Sequence, residues 1–218
     1  MKNKKEIWLN LGCGVSLADN FINVDNFMSL KDLKEGARTK KGMFCNARIP
    51  KGAKFVKGDM CALPFEDNYA DYIECNDAIE HMPQTSVHTA LTEMYRVLKP
   101  GGKLGLSTTN FDELARLWTQ DVTGNPLNTP KDFEKYQTLA NVIYGHQASL
   151  GEYHKVPFNP YLIGYHLQSA GFKLENITIT IHPTNSPYVV HAKAYAHMHE
   201  KLKESIFLTE MMWVDVIK

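Results

Sequence analysis

Short apolar runs alternate along the chain with stretches in which apolar residues recur every three or four positions. The runs are Glu6 to Leu11, Phe21 to Val24, Lys54 to Val56, Ala70 to Glu74 and Lys103 to Ser107. Each is too short for a helix and is bounded by turn residues, so each predicts a strand. Ser86 to Leu98 sets Val87, Leu91, Met94, Tyr95 and Leu98 at helical spacing and stops at Lys99-Pro100-Gly101. Phe111 to Val122, Asp132 to Tyr144 and Tyr161 to Ala170 read as further helices, the last ended by Gly171. Phe172 to Ile181 predicts another strand, with Tyr188 to Tyr195 as its antiparallel partner, and Glu200 onward reads as a closing helix. Strands that alternate with helices predict an α/β fold, a mostly parallel sheet covered by helices.

Two connections are long. Asn26 to Ala53 is rich in Lys, Gly and Arg, and Asn110 to Asn159 is expected to be partly helical and to cover a site. A chain of 218 residues suits one domain, so residues 1–218 are taken as a single unit with 110–159 as its covering insertion.

Candidate chemistry gathers where the strands end. Leu9-Asn10-Leu11-Gly12-Cys13-Gly14 ends the first strand in G-x-G, a turn whose backbone can pass close to a ligand, although many plain turns hold two glycines. Asp25 ends the second strand, where a carboxylate can accept hydrogen bonds from both hydroxyls of an adenosine ribose. It follows Gly14 too closely for the dinucleotide fingerprint, and Leu17 stands where that fingerprint has its third glycine. A nicotinamide or flavin cofactor is therefore disfavoured. Asp59 follows the third strand, and can either cap its own turn or accept from an exocyclic amine such as adenine N6, with Met60 among the apolar side chains beside the ring.

Taken in order, these sites resemble the class I methyltransferases that use S-adenosylmethionine, in particular the broad group carrying L-x-L-G-C-G and G-D-x-x-x-L-P-F. The resemblance covers about residues 6 to 109, with a looser echo from Tyr144 to Phe172. It implies a Rossmann-like, mostly parallel seven-stranded sheet of order 3-2-1-4-5-7-6 with an antiparallel last strand and helices on both faces. It also implies S-adenosyl-L-methionine as cofactor, with Leu11, Gly12, Cys13 and Gly14 near its methionine part, Asp25 on the ribose, Asp59 and Met60 at the adenine, and Asn76 opening the segment that lines the methyl-transfer region. The short link between the first two strands departs from the family, which usually has a helix there.

Methyl transfer to a hydroxyl or a protonated amine needs a base, and histidine is the natural one near neutral pH. His81 follows the fourth strand, while His146 and His154 lie in the expected cover; all three are candidate catalytic residues. No metal is expected, because the spacing of His146 and His154 fits no common zinc motif. Tyr144, Tyr153 and Trp118 are candidate walls for an acceptor pocket. Arg38, Lys40, Lys41, Arg48, Lys51, Lys54 and Lys57 offer attraction for an anionic acceptor or simply a solvated surface.

Composition narrows the partners. Lys+Arg and Asp+Glu are equal at 24 each, so nothing in the charge points to nucleic acid, and no apolar run is long enough to span a bilayer. Four cysteines without CxxC spacing and no signal-peptide core after the basic start suggest reduced thiols in a cytoplasmic protein. The expected activity is transfer of a methyl group to an O or N atom of a small molecule or glycan precursor. A non-catalytic accessory or sensor domain that binds the same cofactor is the alternative.

Overall fold

The computed structural model describes residues 5–14, 16–29, 31, 52–119, 137, 139–145, 147, 151–181 and 211–218. The strands are β1 (Trp8–Leu11), β2 (Ile22–Asp25), β3 (Lys54–Lys57), β4 (Ala70–Asn76), β5 (Leu98–Thr109), β6 (Ile177–Thr180) and β7 (Met211–Ile217). They form one sheet of order β3-β2-β1-β4-β5-β7-β6. All pairings are parallel except those of β7, which runs antiparallel to both β5 and β6. This is the Rossmann-like order and direction that the resemblance implies.

One sheet face is apolar. Leu9, Leu11, Ile73, Cys75, Leu104, Leu106, Val214 and Val216 pack there against α1 (Gln84–Val97) and α3 (Pro160–Ser169), through residues such as Leu91, Met94, Ile163 and Leu167. Helix α3 begins where expected because Asn159 caps it, its side chain accepting from Leu162 N at 2.8 Å, with Pro160 in the first turn. A short helix, α2 (Phe111–Leu117), continues from β5. Leu114 and Leu117 make a small separate cluster with Leu139 and Val142.

The other face carries buried polar residues that explain the short β1–β2 link. Asn10 Nδ2 donates to Asn23 Oδ1 at 2.9 Å and to Ser16 O at 3.0 Å. Asn23 in turn accepts from Ala18 N at 2.8 Å and donates to Ala18 O and Lys54 O. Two buried amides thus satisfy the backbone groups that a helix in this link would otherwise satisfy, and the described residues of the link contain no helix.

The C-terminal expectation needs correction. The end of the chain is a strand, not a helix, and the antiparallel partner of Ile177–Thr180 is Met211–Ile217. The segment Met-Met-Trp-Val-Asp-Val-Ile alternates strictly, with Met212, Val214 and Val216 buried on one face, and that period of two is a strand signal. The expected partner, Tyr188 to Tyr195, lies outside the described residues, as do 132–136 and 138 of the helix expected over Asp132 to Tyr144 and the basic residues Arg38, Lys40, Lys41, Arg48 and Lys51. Among the described residues, no helix is long and apolar enough to cross a membrane.

Candidate active site

The carboxyl tips of β1, β2, β3 and β4 meet at one edge, where open α/β sheets bind ligands. At the tip of β1, Leu11 is fully buried in the core, Gly12 has φ +64° and Gly14 has φ +48°. The two glycines serve different ends. A Cβ on Gly12 would lie 2.5 Å from Ala78 Cβ, with Met60 Cε next at 3.7 Å, so Gly12 lets the β1 and β4 tips touch. A Cβ on Gly14 would meet nothing within 4 Å. Cys13 between them is buried and bonds through its amide to Val24 O at 3.2 Å. Burial, helped by the Asp25 charge, raises its thiol far out of the reactive range.

Asp25 is the hub of this edge. Its Oδ2 accepts from Gly14 N at 2.8 Å, and its Oδ1 from Phe27 N and Met28 N, each at 2.7 Å. One carboxylate therefore ties the glycine turn of β1 to the start of the β2 exit loop. Asp59 is exposed and caps its own turn, with Oδ1 accepting from Cys61 N at 2.8 Å, while Oδ2 faces Asn26 Nδ2 at 3.4 Å. Met60 is half-buried between Gly12 and Cys75, its sulfur 3.9 Å from Cys75 Sγ. The open side of Gly14 lies beside the buried Asp25 carboxylate, to which its amide donates.

At the tip of β4, Asn76 donates to Glu74 Oε1 at 2.5 Å and accepts from Ser107 Oγ at 3.0 Å. The chain then turns through Asp77, at φ +46°, into a 3-10 turn, Ile79–His81. The segment 153–156 docks on that turn. Lys155 N and Val156 N both donate to Glu80 O, at 2.7 and 3.3 Å, and Lys155 Nζ donates to His81 O at 2.9 Å. His81 Nδ1 lies 3.3 Å from Tyr153 O, and the rings of His81 and His154 meet edge to face with centroids 4.7 Å apart. A bend closes this arrangement: a Cβ on Gly145, at φ +77°, would run into Glu152 O, and His154 N donates to Tyr144 O at 3.1 Å.

Glu80 was not anticipated from sequence. It is 1% exposed, and its Oε2 has no hydrogen-bond partner among the described residues. Burial first, then the Asp77 charge, hold its carboxyl well above the ordinary carboxylate range. Its atoms and those of His81 and His154 that could bind a metal all lie within 4.8 Å of one another. The sequence offers no sign of this, since His154 reaches the other two only through the fold. His146 lies outside the described residues. Tyr144 and Tyr153 are partly exposed near the two histidines, whereas Trp118 packs on the Leu114 cluster.

A second unanticipated residue is Arg96. It donates to Leu63 O, Phe65 O, Asp67 and Glu93, and so clamps the Leu63-Pro64-Phe65 turn that follows Asp59.

Comparison with known proteins bears on the same edge. Residues 9–106 match the family described as Methyltransferase domain. A methyltransferase from Mesorhizobium loti, described as S-adenosylmethionine dependent, superposes with a TM-score of 0.56 at 19% identity, covering 98% of this chain and 91% of that one. One from Archaeoglobus fulgidus gives 0.52 at 16% identity over 98% and 86%. These likenesses establish the fold. Over shorter stretches, the chain is 45% identical to a sterol 24-C-methyltransferase of Schizosaccharomyces pombe across 58 residues, and 51% identical to a demethylmenaquinone methyltransferase of Staphylococcus aureus across 49. Those stretches take in 27% and 22% of this chain but 15% and 20% of the two relatives.

Proposed function

We propose, from a chain whose residues 9–106 match a methyltransferase domain and whose fold superposes on S-adenosylmethionine-dependent methyltransferases, that this protein uses S-adenosylmethionine to transfer a methyl group to an oxygen or nitrogen atom of a small molecule or glycan precursor. The observation that carries the proposal is the contact of Gly12 with Ala78. It joins the Asp25–Gly14 cradle on one side to the turn bearing His81 on the other, so a cofactor site and two imidazoles share one cleft edge. The named acceptors of the two sequence relatives do not transfer, because the matches span so little of either relative.

The cofactor, when bound, supplies a methyl group already activated on a sulfonium. The chain's own residues do the rest. Asp25 would hold the ribose hydroxyls on the lone pairs that its three backbone donors leave open. Gly14 would keep the cradle clear, and Met60 and Asp59 would hold the adenine. The segment 153–156, docked on the Glu80 carbonyl, would exclude water from the acceptor end. His81 or His154 takes the proton that a hydroxyl or ammonium acceptor must lose, a contribution of typically ~10²–10⁴-fold. Free Cys13, Cys61 and Cys75 accord with a reducing, cytoplasmic setting.

Calorimetry with S-adenosylmethionine, followed by transfer of labelled methyl into pools of small hydroxyl and amine compounds, tests this. The parent should bind the cofactor and label at least one pool, and His154→Ala should bind but label poorly. A parent that fails to bind at saturating cofactor rejects the proposal, and binding with no labelled pool favours the non-catalytic alternative.

A further inference from the structure

We infer that Glu80, His81 and His154 form a binding site for a divalent transition-metal ion of the zinc type at the acceptor end of the cleft. One carboxylate and two imidazoles are a donor set used by zinc with a position left open. Ligand atoms around one such ion stand about 3.4 Å apart at ordinary zinc–ligand distances. The three candidates here already lie within 4.8 Å of one another, a gap that side-chain rotation closes.

Three further observations favour an ion over a simple polar contact. Glu80 Oε2 is buried and has no hydrogen-bond partner among the described residues; a buried oxygen in that state is costly, and a cation satisfies it. His81 Nδ1 faces the carbonyl of Tyr153 at 3.3 Å. A neutral ring there donates from Nδ1 and keeps its lone pair on Nε2, the outer-shell arrangement that orients metal-binding histidines. The backbone frame is also fixed: Glu80 O holds the amides of Lys155 and Val156, and Tyr144 O holds the amide of His154. The two segments that carry the ligands are thus held together before an ion arrives. Asp77 adds negative charge beside Glu80, and the Lys155 ammonium is turned onto His81 O.

The metal site itself does not depend on methyl transfer. What it would do there rests on the reading above: its open position would hold the acceptor's oxygen or nitrogen and lower that atom's proton affinity. With zinc bound, the two imidazoles would be ligands, and the ion would take over the part given to them above, easing the acceptor's proton loss.

The test uses the full chain stripped with a chelator, titrated with zinc against a chromogenic indicator. Bound metal is counted by elemental mass spectrometry after dialysis. The parent should retain one zinc per chain. Glu80→Gln and His154→Ala should each weaken zinc binding by at least about tenfold, the size of effect that even outer-shell changes produce. His88→Ala, on the exposed side of α1, should bind as the parent does. Should Glu80→Gln fail to fold, His154→Ala and the visible spectrum of the cobalt-loaded parent decide, since a site of these ligands gives a nitrogen–oxygen spectrum without thiolate bands. Absent zinc, equal retention in the His154 variant, equal loss in the His88 variant, or a thiolate spectrum overturns the inference. Cofactor affinity is measured on the same samples: a parent that holds zinc but not S-adenosylmethionine rejects the methyl-transfer reading and leaves the metal site standing.

Discussion

At the residue scale, Gly12 and Gly14 share a left-handed backbone but face different surroundings. Alanine at Gly12 adds a methyl group 2.5 Å from Ala78 Cβ to the ~1–2 kcal/mol cost of that backbone region for an L-residue. With overpacking at ~1–3 kcal/mol, Gly12→Ala should lose about 2–5 kcal/mol in urea unfolding. Gly14→Ala carries only the backbone cost, and its methyl group enters the open side. It should therefore lower cofactor affinity, read by calorimetry, more than it lowers stability. Asp25→Ala strands three backbone amides at once. The cofactor-free protein should then lose about 1–3 kcal/mol, the cost of leaving such groups unsatisfied, in addition to its loss of binding. Equal stability of parent and variant without cofactor would show that the carboxylate does not hold this edge together. The roles of Gly12 and Gly14 were visible in sequence as a motif, but not the difference between them, because Ala78 arrives from another strand.

At the element scale, the Arg96 clamp ties α1 to the turn after Asp59. Hydrogen bonding from Arg96, with a further bond from Leu63 N, holds Glu93 below its ordinary pKa despite partial burial. Because the folded value is the lower one, ionised Glu93 stabilises the protein above its unfolded value, ~4.3, and the contribution is lost as pH falls through the folded value. Glu93→Gln should therefore be less stable than the parent at pH 7, and the gap should narrow in acid below that unfolded value. Denaturant midpoints across that range check it, and a gap independent of pH would assign the effect to packing. Strands β1 to β5 and helices α1 and α3 were legible because their burial patterns are local. The short link after β1 was legible as a departure, while its remedy, the Asn10–Asn23 pair, was not, since both side chains had to be seen facing each other.

At the scale of the whole molecule, β7 inserts between β5 and β6 and completes the sheet. Its Val214 is 1% exposed and sits opposite Leu106 and Ile179. Val214→Ala should cost about 2 kcal/mol or more by opening a cavity in the core. Removing residues 211–218 should abolish cooperative thermal unfolding, because β6 loses its link to the sheet and β5 loses one of its two neighbours; a retained sharp transition would show that β7 is dispensable. The strand was mistaken for a helix because a short terminal segment is judged alone, whereas its alternation has meaning only against the unpaired edge of β5. What the residues determined unaided was the class of fold and the placing of Gly12, Gly14, Asp25 and Asp59 at the strand tips, since strand ends and turn residues are set by neighbours in the chain. What only folding decided was the meeting of Glu80, His81 and His154, the Arg96 clamp and the place of β7. Each of these joins groups far apart along the backbone, and nothing short of the packed sheet specifies such distances.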